Sequence, residues 1–414
     1  MGATDDSLLL GITAPMFRAG NDRLSVESQT VSGLHAWRDN FEHVCAFAIC
    51  LDELPPPGWC EVDIAELSAA GIDIIPLPDT YDLRTYLRER RAIGACFLKL
   101  MNQTRYHTFG YGGWIGDPGE IAAAAARRNG IPHAVWFDRV ESQVVRTATA
   151  GGIKDKVKST IKAAVIERHE KRAVRTATLS LLHGATVFDH FKGIAKNPCQ
   201  VEDVHFTEED RLSNDVVAVK AGAAMEGRLN ILYCGRASRM KGPLDWMKVL
   251  IGLKQRGVVF AARWLGDGEM LDKMREAASE GGLTAEDLVF EGFVSDRKKV
   301  RDFYRQAHVM LFCHLTDESP RNLIESLHAA TPLIGYRDLF SADLVSERGA
   351  GELVPRGAVG GLVDIVAGLD TNRARLAELI TRAGASAEHL TRNQVFRHRS
   401  EIIRSQMPPA ALMN

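Results

Sequence analysis

Short apolar runs alternate with amphipathic stretches along most of the chain. The first runs are typical of β-strands and cover LLLGITAP (8–15), HVCAFAICL (43–51), IDIIPLP (72–78) and HAVWF (133–137). Helical spacing of apolar residues falls between them, near Leu24–Asn40 and over the alanine-rich segment 119–130. This βαβα order favours a parallel sheet with helices on both faces.

A second alternating run starts at RLNILYCGR (228–236), after a polar and irregular stretch, 201–228, that we interpret as a linker. Its predicted strands are NILYCG, VFAARWLG, LVFEGFV, VMLFCHL and TPLIGY, and its predicted helices cover 244–255, 270–280, 298–306, 322–329 and 373–397. We therefore expect an α/β protein with two doubly wound domains, 1–205 and 206–394, and a last helix near 395–414 that can return to the first domain. Sheets of this kind bind ligands at the carboxyl ends of their strands.

Composition adds little beyond this architecture. The chain has 414 residues, which suits two domains, and its hydrophobic (45%) and charged (25%) fractions are ordinary for globular proteins. The net charge of −2 gives no indication of nucleic-acid binding. Seven cysteines without a CxxC spacing predict free thiols in a reducing compartment. Neither a signal peptide nor an apolar membrane span is evident, so we expect a cytoplasmic protein.

The segment ILYCGRASRMKG carries the first candidate chemistry. A buried strand ends at Gly235, and Arg236 and Lys241 follow it. A glycine at a strand end lets the backbone approach a ligand, while arginine and lysine are the side chains that bind phosphate oxygens. The alternative is an ordinary strand-to-helix turn with solvated basic side chains.

The segment DESPRNLIESLHAATPLIGY (317–336) is the second segment with candidate ligand-binding residues. Ser319 and Pro320 predict a helix start, with proline in the first turn, where its missing N–H costs little. The first amides of this helix, near Arg321, Asn322 and Leu323, would then form an anion site. The alternative is a capping box between Ser319 and Asn322.

Two glycine-containing turns lie between these segments. WLGDGEM (264–270) contains Gly266, and FEGFVSD (290–296) contains Gly292. Each follows a predicted strand, so the two turns together can form a shelf for a flat base. Either turn taken alone is better explained as a tight connection between a strand and a helix.

The order of these motifs, GR….KG, GDGE, EGFVSD, [DE]SP…E and TPLIGY, resembles the donor half of the retaining GT-B fold glycosyltransferases of family 4. The resemblance is close over Asn230–Tyr336 and weak in the N-terminal half. It implies two Rossmann-like domains that face a central cleft. It also implies sugar transfer from a nucleoside-diphosphate sugar, with the C-terminal domain binding the donor and the N-terminal domain the acceptor.

The resemblance also assigns residues. Arg236 and Lys241 match the residues that grip the donor diphosphate and stabilise the leaving nucleoside diphosphate, and Glu325 matches the second acid of the E-x7-E motif, which binds the ribose. The remaining implied donor contacts are the turns at Gly235 and Gly266, the base-binding turn Gly292, Phe293 and Val294, and the amides of Asn322 and Leu323 at the distal phosphate.

Two departures from the family pattern leave alternatives open. The first acid of E-x7-E is Asp317 by spacing, but Glu318 is adjacent, and either carboxylate can contact the transferred sugar. Arg321 stands where many relatives have glycine, so it can add a phosphate contact or narrow the sugar pocket.

In the N-terminal half, Asp138 stands where family members often have a sugar-contacting histidine. A helix N-cap is an equal alternative for Asp138. The loops 16–25 and 107–117 are expected to line the acceptor side. Tyr111 and Trp114, among the glycines of the second loop, suit a mobile loop that stacks on sugar rings, and the alternative is a surface loop with two buried aromatic residues.

The segment 151–175 is a predicted helix with eight Lys and Arg against three Asp and Glu. Such a helix is usually an amphipathic surface element. It can also dock on an anionic membrane surface, near a lipid-linked acceptor.

The sequence lacks the Asp-x-Asp motif of metal-dependent transferases, and Arg236, Lys241 and a helix N-terminus can meet the charge of a departing diphosphate. We therefore expect a metal-independent transferase that needs no cofactor, and the resemblance implies that the transfer retains the anomeric configuration. By family analogy, its acceptor is a glycan or glycolipid of bacterial surface polysaccharide or lipopolysaccharide synthesis. The alternatives are a nucleotide-sugar epimerase on the same fold and a non-catalytic nucleotide-sugar-binding protein.

Overall fold

A computed structural model describes residues 6–20, 22–112, 115–148, 153–386 and 388–409. The chain forms two compact units. The N-terminal unit runs to His205 and also contains the chain from Arg392 onward, so the last helix belongs to it. The C-terminal unit covers Phe206–Thr391 and therefore ends before residue 394, where the sequence placed the boundary.

The N-terminal unit is built on a ten-stranded sheet in the order β10-β9-β8-β7-β1-β4-β2-β3-β5, with β6 also paired to β4. Its strands are β1 (Ser7–Gly11), β2 (Met16–Arg18), β3 (Arg23–Glu27), β4 (His43–Leu51), β5 (Trp59–Asp63), β6 (Ile72–Leu77), β7 (Tyr106–Gly110), β8 (Ala134–Phe137), β9 (Leu179–His183) and β10 (Pro198–Val201). The predicted parallel strands are present. However, β3 pairs antiparallel with β2 and β5, which makes the sheet mixed.

Helices pack against this sheet. They are α1 (Ser28–Arg38), α2 (Ile64–Ala69), α3 (Leu83–Gln103), α4 (Pro118–Arg128), α5 (Glu141–Ala148), α6 (Ile153–Thr176), α7 (Gly184–Phe191) and, at the end of the chain, α16 (Arg392–Gln406). Phe396 and Ile403 of α16 are buried in the same core as Leu34 and Trp37 of α1. The separation of α16 from the preceding helix corrects the single helix predicted over 373–397.

The helix predicted near Leu24–Asn40 starts later than expected. Residues Arg23–Glu27 form β3, in which Leu24 and Val26 are buried while Arg23 is exposed. The sequence Arg-Leu-Ser-Val-Glu alternates polar and apolar residues with a period of two, which fits a strand, and the pairing of β3 with two neighbours stabilises it. The helical pattern therefore begins only at Ser28.

The C-terminal unit contains a six-stranded parallel sheet in the order β13-β12-β11-β14-β15-β16. Its strands are β11 (Leu229–Cys234), β12 (Phe260–Leu265), β13 (Leu288–Gly292), β14 (Val309–Phe312), β15 (Leu333–Tyr336) and β16 (Gly351–Val354). Its helices are α8 (Asn214–Ala223), α9 (Pro243–Gln255), α10 (Leu271–Glu280), α11 (Arg297–Gln306), α12 (Arg321–His328), α13 (Leu339–Arg348), α14 (Val359–Thr371) and α15 (Arg373–Gly384).

The predicted linker 201–228 is wrong in one respect, because α8 lies inside it. Ser213 caps this helix, and Lys220 on its inner face is buried. Lys220 donates hydrogen bonds to the carbonyl of Ala329 (2.7 Å) and the hydroxyl of Thr331 (2.6 Å), at the end of α12. Burial lowers the pKa of Lys220 well below its usual value. This buried amine fixes the C-terminal end of the helix whose first turn lies at the candidate site.

Candidate functional site

Three neighbouring strands of the C-terminal unit end in turns that are hydrogen-bonded to one another. The Gly235 N–H donates to the Leu265 carbonyl, and the Gly266 N–H donates to the Gly292 carbonyl, both at 2.8 Å. Gly266 has φ +134°, and a Cβ on it would lie 2.3 Å from the Gly235 carbonyl oxygen. The turns after β11, β12 and β13 therefore form a continuous backbone shelf that only glycine permits at this position.

At the end of this shelf, the Phe293 N–H donates to the Asp267 carboxylate (3.1 Å). The Phe293 side chain is 50% exposed, and Val294 is half-buried. A large apolar ring exposed beside a rigid turn gives a flat ligand a surface on which to pack. The shelf that the sequence predicted is therefore formed, and Gly235, Gly266, Gly292, Phe293 and Val294 lie on it or directly beside it.

The basic turn lies against the end of β14. Residues Arg239–Lys241 form one 3₁₀ turn, and Gly242 follows with φ +63°. A Cβ on Gly242 would lie 1.9 Å from the Cys313 carbonyl oxygen, so glycine is required for this approach. The Leu315 N–H donates to the Met240 carbonyl (2.8 Å) and fastens the loop after β14 to the turn.

This packing brings Lys241 and Glu318 together. The Lys241 Nζ lies 2.7 Å from the Glu318 Oε2, and the two side chains are only 14% and 15% exposed. Asp317 faces a different partner: it pairs with Arg356 and is 46% exposed. The inner carboxylate beside the basic turn is thus Glu318, one residue later than the E-x7-E spacing indicates. Arg236 is exposed, and no described carboxylate lies within ion-pairing distance of it.

The loop between β14 and α12 contains buried polar atoms that have no hydrogen-bond partner among the described residues. These are His314 Nδ1, Thr316 Oγ1 and Glu318 Oε1. The other ring nitrogen of His314 is 2.9 Å from the Tyr233 hydroxyl. Burial, together with the charges of Lys241 and Arg356, holds the pKa of His314 well below its usual value, so the ring is neutral. Buried polar groups normally find partners, which makes this loop a good candidate for contact with a polar ligand.

Helix α12 begins at Arg321, with Pro320 in the preceding position and no side-chain cap. The capping box between Ser319 and Asn322 is absent, because the Asn322 Oδ1 has no hydrogen-bond partner among the described residues, while its Nδ2 donates to the Cys234 carbonyl (2.5 Å). This bond ties the first turn of α12 to the end of β11. The predicted anion contact at Leu323 needs a correction, since the Leu323 N–H already donates to the Pro320 carbonyl (3.2 Å).

Glu325 is buried inside α12 and has two partners that the sequence did not indicate. Arg297 donates to its Oε1 (3.1 Å) and the Tyr304 hydroxyl to its Oε2 (3.3 Å). Burial by itself lowers the pKa of Arg297, but the adjacent Glu325 carboxylate outweighs burial and raises it. Both partners belong to α11, so only the folded sheet brings them to Glu325.

In the N-terminal unit, Asp138 accepts a hydrogen bond from the buried His183 at the end of β9 (Nδ1–Oδ1 3.0 Å). Glu202 lies 3.6 Å from the other ring nitrogen. Burial lowers the pKa of His183, but the Asp138 bond and the charges of Asp138, Glu202 and Asp203 raise it above its usual value. Helix α5 starts at Glu141, so Asp138 does not directly precede it, which disfavours the N-cap alternative.

The two loops expected on the acceptor side contain strand residues, and Tyr111 is buried, as the alternative for the second loop predicts. Residues 16–25 mostly belong to the β2–β3 hairpin. In the loop 107–117, Tyr111 is buried against Phe137, with ring centroids 4.9 Å apart, so it is not placed to stack on a ligand. Trp114 lies outside the described residues. A Cβ on Gly116 would lie 1.9 Å from the Thr80 carbonyl oxygen, so this glycine serves close packing.

The basic segment 151–175 is helical from Ile153, and its first two residues lie outside the described ranges. Val157 and Ile161 are exposed on α6, next to Lys158 and Lys162, whereas Ile166 is in the core.

No helix in the described ranges is long and apolar enough to cross a membrane. Over the same ranges, no group of three or more His, Cys, Asp and Glu side chains is placed to hold a metal ion. All seven cysteines are free, and Cys96 is exposed.

Comparisons with known proteins bear on the fold of the chain. Residues 219–386 match the family model described as glycosyl transferases group 1. No curated protein sequence matches the chain. Among solved structures, HepE of Anabaena in complex with UDP-glucose has a TM-score of 0.64 at 13% identity, covering 97% of this chain and 99% of HepE.

Two further solved structures have the same fold. The sucrose-phosphate synthase of Thermosynechococcus elongatus has a TM-score of 0.66 at 14% identity, covering 97% of this chain and 98% of the enzyme. WaaG, a glycosyltransferase involved in lipopolysaccharide biosynthesis, has a TM-score of 0.64 at 12% identity, covering 96% and 100%. The family model thus matches most of the C-terminal unit, and the chain has the GT-B fold of these solved structures.

Proposed function

We propose that this chain is a retaining glycosyltransferase that moves a sugar from a nucleoside-diphosphate sugar to a glycan or lipid-linked acceptor. One observation carries the proposal: Lys241 and Glu318 lie 2.7 Å apart beside the start of α12. A cation and a carboxylate at one point, next to a glycine shelf, suit a ligand with an anionic diphosphate and a hydroxyl-rich sugar.

Each part of the site has a proposed role. Lys241 and the exposed Arg236 bind the diphosphate and stabilise the charge that develops on it, together with the first amides of α12 and Arg321. Glu318 contacts the sugar hydroxyls, and Asp317 holds the loop through Arg356. Glu325 binds the ribose, and the shelf at Gly292–Val294 binds the base. Asp138 contacts the sugar from the N-terminal unit.

The proposed reaction needs no enzyme-bound nucleophile. The acceptor hydroxyl oxygen forms a bond to the anomeric carbon on the face from which the diphosphate leaves. The carbon–oxygen bond to the diphosphate breaks, its electron pair stays on the departing oxygen, and a phosphate oxygen takes the hydroxyl proton. Because Arg236 and Lys241 supply the positive charge that this departure requires, we propose that the transfer is metal-independent.

The donor base and the setting are proposed by likeness. HepE was crystallised with UDP-glucose, so a uridine diphosphate sugar is the first donor to test. WaaG acts in lipopolysaccharide biosynthesis, and we propose a comparable role in bacterial surface polysaccharide assembly at the cytoplasmic face of the membrane. The exposed Val157 and Ile161 on the basic helix α6 suit contact with an anionic membrane surface.

A two-stage experiment tests the proposal. Thermal shift with UDP, GDP, ADP and dTDP identifies the nucleotide that stabilises the chain, because a ligand that binds only the native state raises the midpoint. The matching nucleotide sugars are then incubated with a membrane glycolipid extract as acceptor. Nucleoside diphosphate released only with the extract, and a product that keeps the donor's anomeric configuration, support the proposal.

Three other outcomes contradict it. An epimerised donor in the absence of extract indicates the epimerase. Tight nucleotide-sugar binding without either reaction, across extracts from several bacteria, indicates a binding protein. A chain whose midpoint none of the four nucleotides shifts does not have the proposed donor site.

A further inference from the structure

The N-terminal unit contains a cavity that none of the assigned roles uses. It has a volume of about 190 Å³. Its lining combines apolar and polar residues: Ile12, Thr13, Pro15, Ile49, Leu51, Asp79, Tyr81, Gly110, Asp117, Pro118 and Gly119. These residues belong to the last part of β4, the end of β7, and the segments that follow β1, β6 and β7.

The cavity lies where the order of the strands reverses. β1 is flanked by β4 on one side and β7 on the other. From β1 the chain proceeds to β4 and β6, then crosses to β7 and continues outward through β8, β9 and β10. The connections after β1 and β7 therefore leave in opposite directions, which opens a crevice at the carboxyl ends of these strands. Open parallel sheets bind ligands at this switch point.

The polar side of the cavity is rigid. The buried Asp117 accepts hydrogen bonds from the Tyr81 hydroxyl (3.0 Å), the Gly112 N–H (2.8 Å) and the Glu120 N–H (2.9 Å). The Tyr81 N–H in turn donates to Asp79 (3.0 Å). These bonds hold the Tyr81 ring at the cavity while 41% of the residue stays exposed.

The charges of the lining exclude anions. Among the described residues that line the cavity there are two carboxyl groups, Asp79 and Asp117, and no Lys, Arg or His. The cavity also meets the N-terminus of α4, which would attract an anion, but Asp117 already occupies that position as its cap. Burial raises the pKa of Asp117 to about 6, so the group carries negative charge at neutral pH.

We propose that this cavity is the acceptor subsite and that it takes a single uncharged or amino-substituted sugar ring, not a phosphorylated or uronic acid residue. The volume is below the roughly 300–1,000 Å³ of pockets that enclose whole drug-sized ligands, so one ring fits and the rest of the acceptor stays outside. A sugar ring offers apolar C–H faces to Ile12, Ile49 and Leu51, and hydroxyl donors to Asp79. A hydrocarbon chain would cover the carboxyl groups without bonding them, which is unfavourable.

This inference rests on the proposed function, because it names the acceptor of that reaction. The test uses the full-length chain and three probes: methyl glucoside, methyl glucosaminide and methyl glucuronide. Saturation-transfer NMR measures their binding, with UDP added in a parallel series. The variants are Leu51→Trp, which fills the cavity, and Leu54→Trp, a matched control at a position that is 94% exposed and outside the lining.

We expect the glucoside or the glucosaminide to bind and the glucuronide to bind at least about tenfold more weakly, a difference of about 1.4 kcal/mol. Leu51→Trp abolishes this binding, and Leu54→Trp does not change it. Asp79→Asn removes one negative charge and keeps a side-chain oxygen that can accept from the Tyr81 N–H. It should therefore reduce the difference in affinity between the glucuronide and the glucoside. Asp79→Asn also keeps the proposal testable if Leu51→Trp does not fold.

Equal binding of the glucuronide to the unaltered chain, binding that survives Leu51→Trp, or no binding of any probe overturns the inference. The outcome for the proposed function is separate. A UDP thermal shift that persists in a chain with no sugar binding leaves the donor site in place and removes only the acceptor assignment. Sugar binding without any nucleotide shift removes the transferase.

Discussion

The Nζ of Lys241 lies 2.7 Å from the Oε2 of Glu318, and both side chains are largely buried. The first belongs to the turn after β11 and the second to the loop after β14, two neighbouring strands of the sheet. The pair therefore marks the point at which the two candidate motifs of the sequence meet. Its chemistry gives the first predictions.

Glu318, rather than Asp317, should be the carboxylate on which turnover depends. Hydrogen bonds to charged groups contribute about 1.5–3 kcal/mol, so Glu318→Gln should lower kcat on the order of tenfold to a hundredfold. Asp317→Asn is the matched control, because Asp317 is half-exposed and bonded to Arg356, and it should change kcat by less than about threefold. Steady-state rates of nucleoside diphosphate release check this. A larger loss of kcat in Asp317→Asn than in Glu318→Gln would mean that Asp317, the residue at the E-x7-E spacing, contacts the sugar.

Lys241 should serve both stability and catalysis, and a double variant separates the two. Lys241→Met leaves the buried Glu318 without its cation and should lower both the midpoint of thermal unfolding and, on the order of a hundredfold, kcat. In Lys241→Met/Glu318→Gln the unpaired charge is gone, so the midpoint should recover while kcat stays low. Because Glu318→Gln by itself lowers kcat, the double variant is compared with that single variant. A double variant as fast as Glu318→Gln alone would contradict a role for Lys241 at the leaving group.

Glu325 should recognise the ribose of the donor. Replacement by alanine would leave Arg297 and Tyr304 without their shared partner, so Glu325→Gln is the milder variant. We expect UDP to bind the unaltered chain more tightly than 2′-deoxy-UDP, by on the order of tenfold, and Glu325→Gln to abolish this difference. Calorimetric titration of both nucleotides measures it. An undiminished preference in the variant would place the ribose contact elsewhere.

The elements of the fold were predictable where local pattern and tertiary packing agree. The apolar run 43–51 coincides with β4, because it is buried between strands on both sides. Helix α14 was not predicted, since Gly360, Gly361 and Gly368 weaken its helical signal and burial against the sheet compensates. β3 was mistaken for the start of α1, because its pairing with β2 and β5 is not visible locally.

In the candidate site too, local motifs could be predicted from the sequence, whereas contacts between distant residues could not. The sequence proposed Lys241, Glu325 and either Asp317 or Glu318 as site residues, because each stands in a motif of neighbouring residues. It did not identify the Lys241–Glu318 pair or the contact of Glu325 with Arg297, since these partners are far apart in the chain and only the order of the strands brings them together. Likewise, the contact between Asp138 and His183 depends on the pairing of β8 with β9.

Asp138 should raise the pKa of His183 in the folded chain. The pKa of His183 is raised above 6.5, so its contact with Asp138 stabilises the fold fully below that pH and less as the pH rises through the folded value. NMR titration of ¹³C-labelled histidine, with the signal assigned through His183→Gln, should give a midpoint above 6.5. In Asp138→Asn the midpoint should fall, because the carboxylate charge is lost.

The stability of the N-terminal unit should follow the same titration. Between pH 6 and pH 8.5, the urea midpoint of the unaltered chain should decrease more than that of Asp138→Asn, since only the former loses an ion pair. Asp189→Asn, on the exposed side of α7, is a matched control, because Asp189 forms an ion pair with Lys192 at the surface. A His183 midpoint below 6.5 would show that burial outweighs the neighbouring carboxylates.

Helix α6 should bring the chain to anionic membranes. Val157 and Ile161 are 54% and 62% exposed, and Lys158 and Lys162 are exposed beside them. Apolar side chains at this spacing can enter the boundary between headgroups and acyl chains, while each lysine near an anionic surface contributes about 1 kcal/mol. We expect the chain to sediment with vesicles of phosphatidylglycerol and phosphatidylethanolamine, and less so with vesicles of phosphatidylcholine or at high salt.

Val157→Asp/Ile161→Asp should reduce this binding on the order of tenfold or more. Val219→Asp is the matched control, because Val219 is an exposed valine on α8 of the other unit. Equal sedimentation of the double variant and the control would show that α6 is an ordinary amphipathic surface helix.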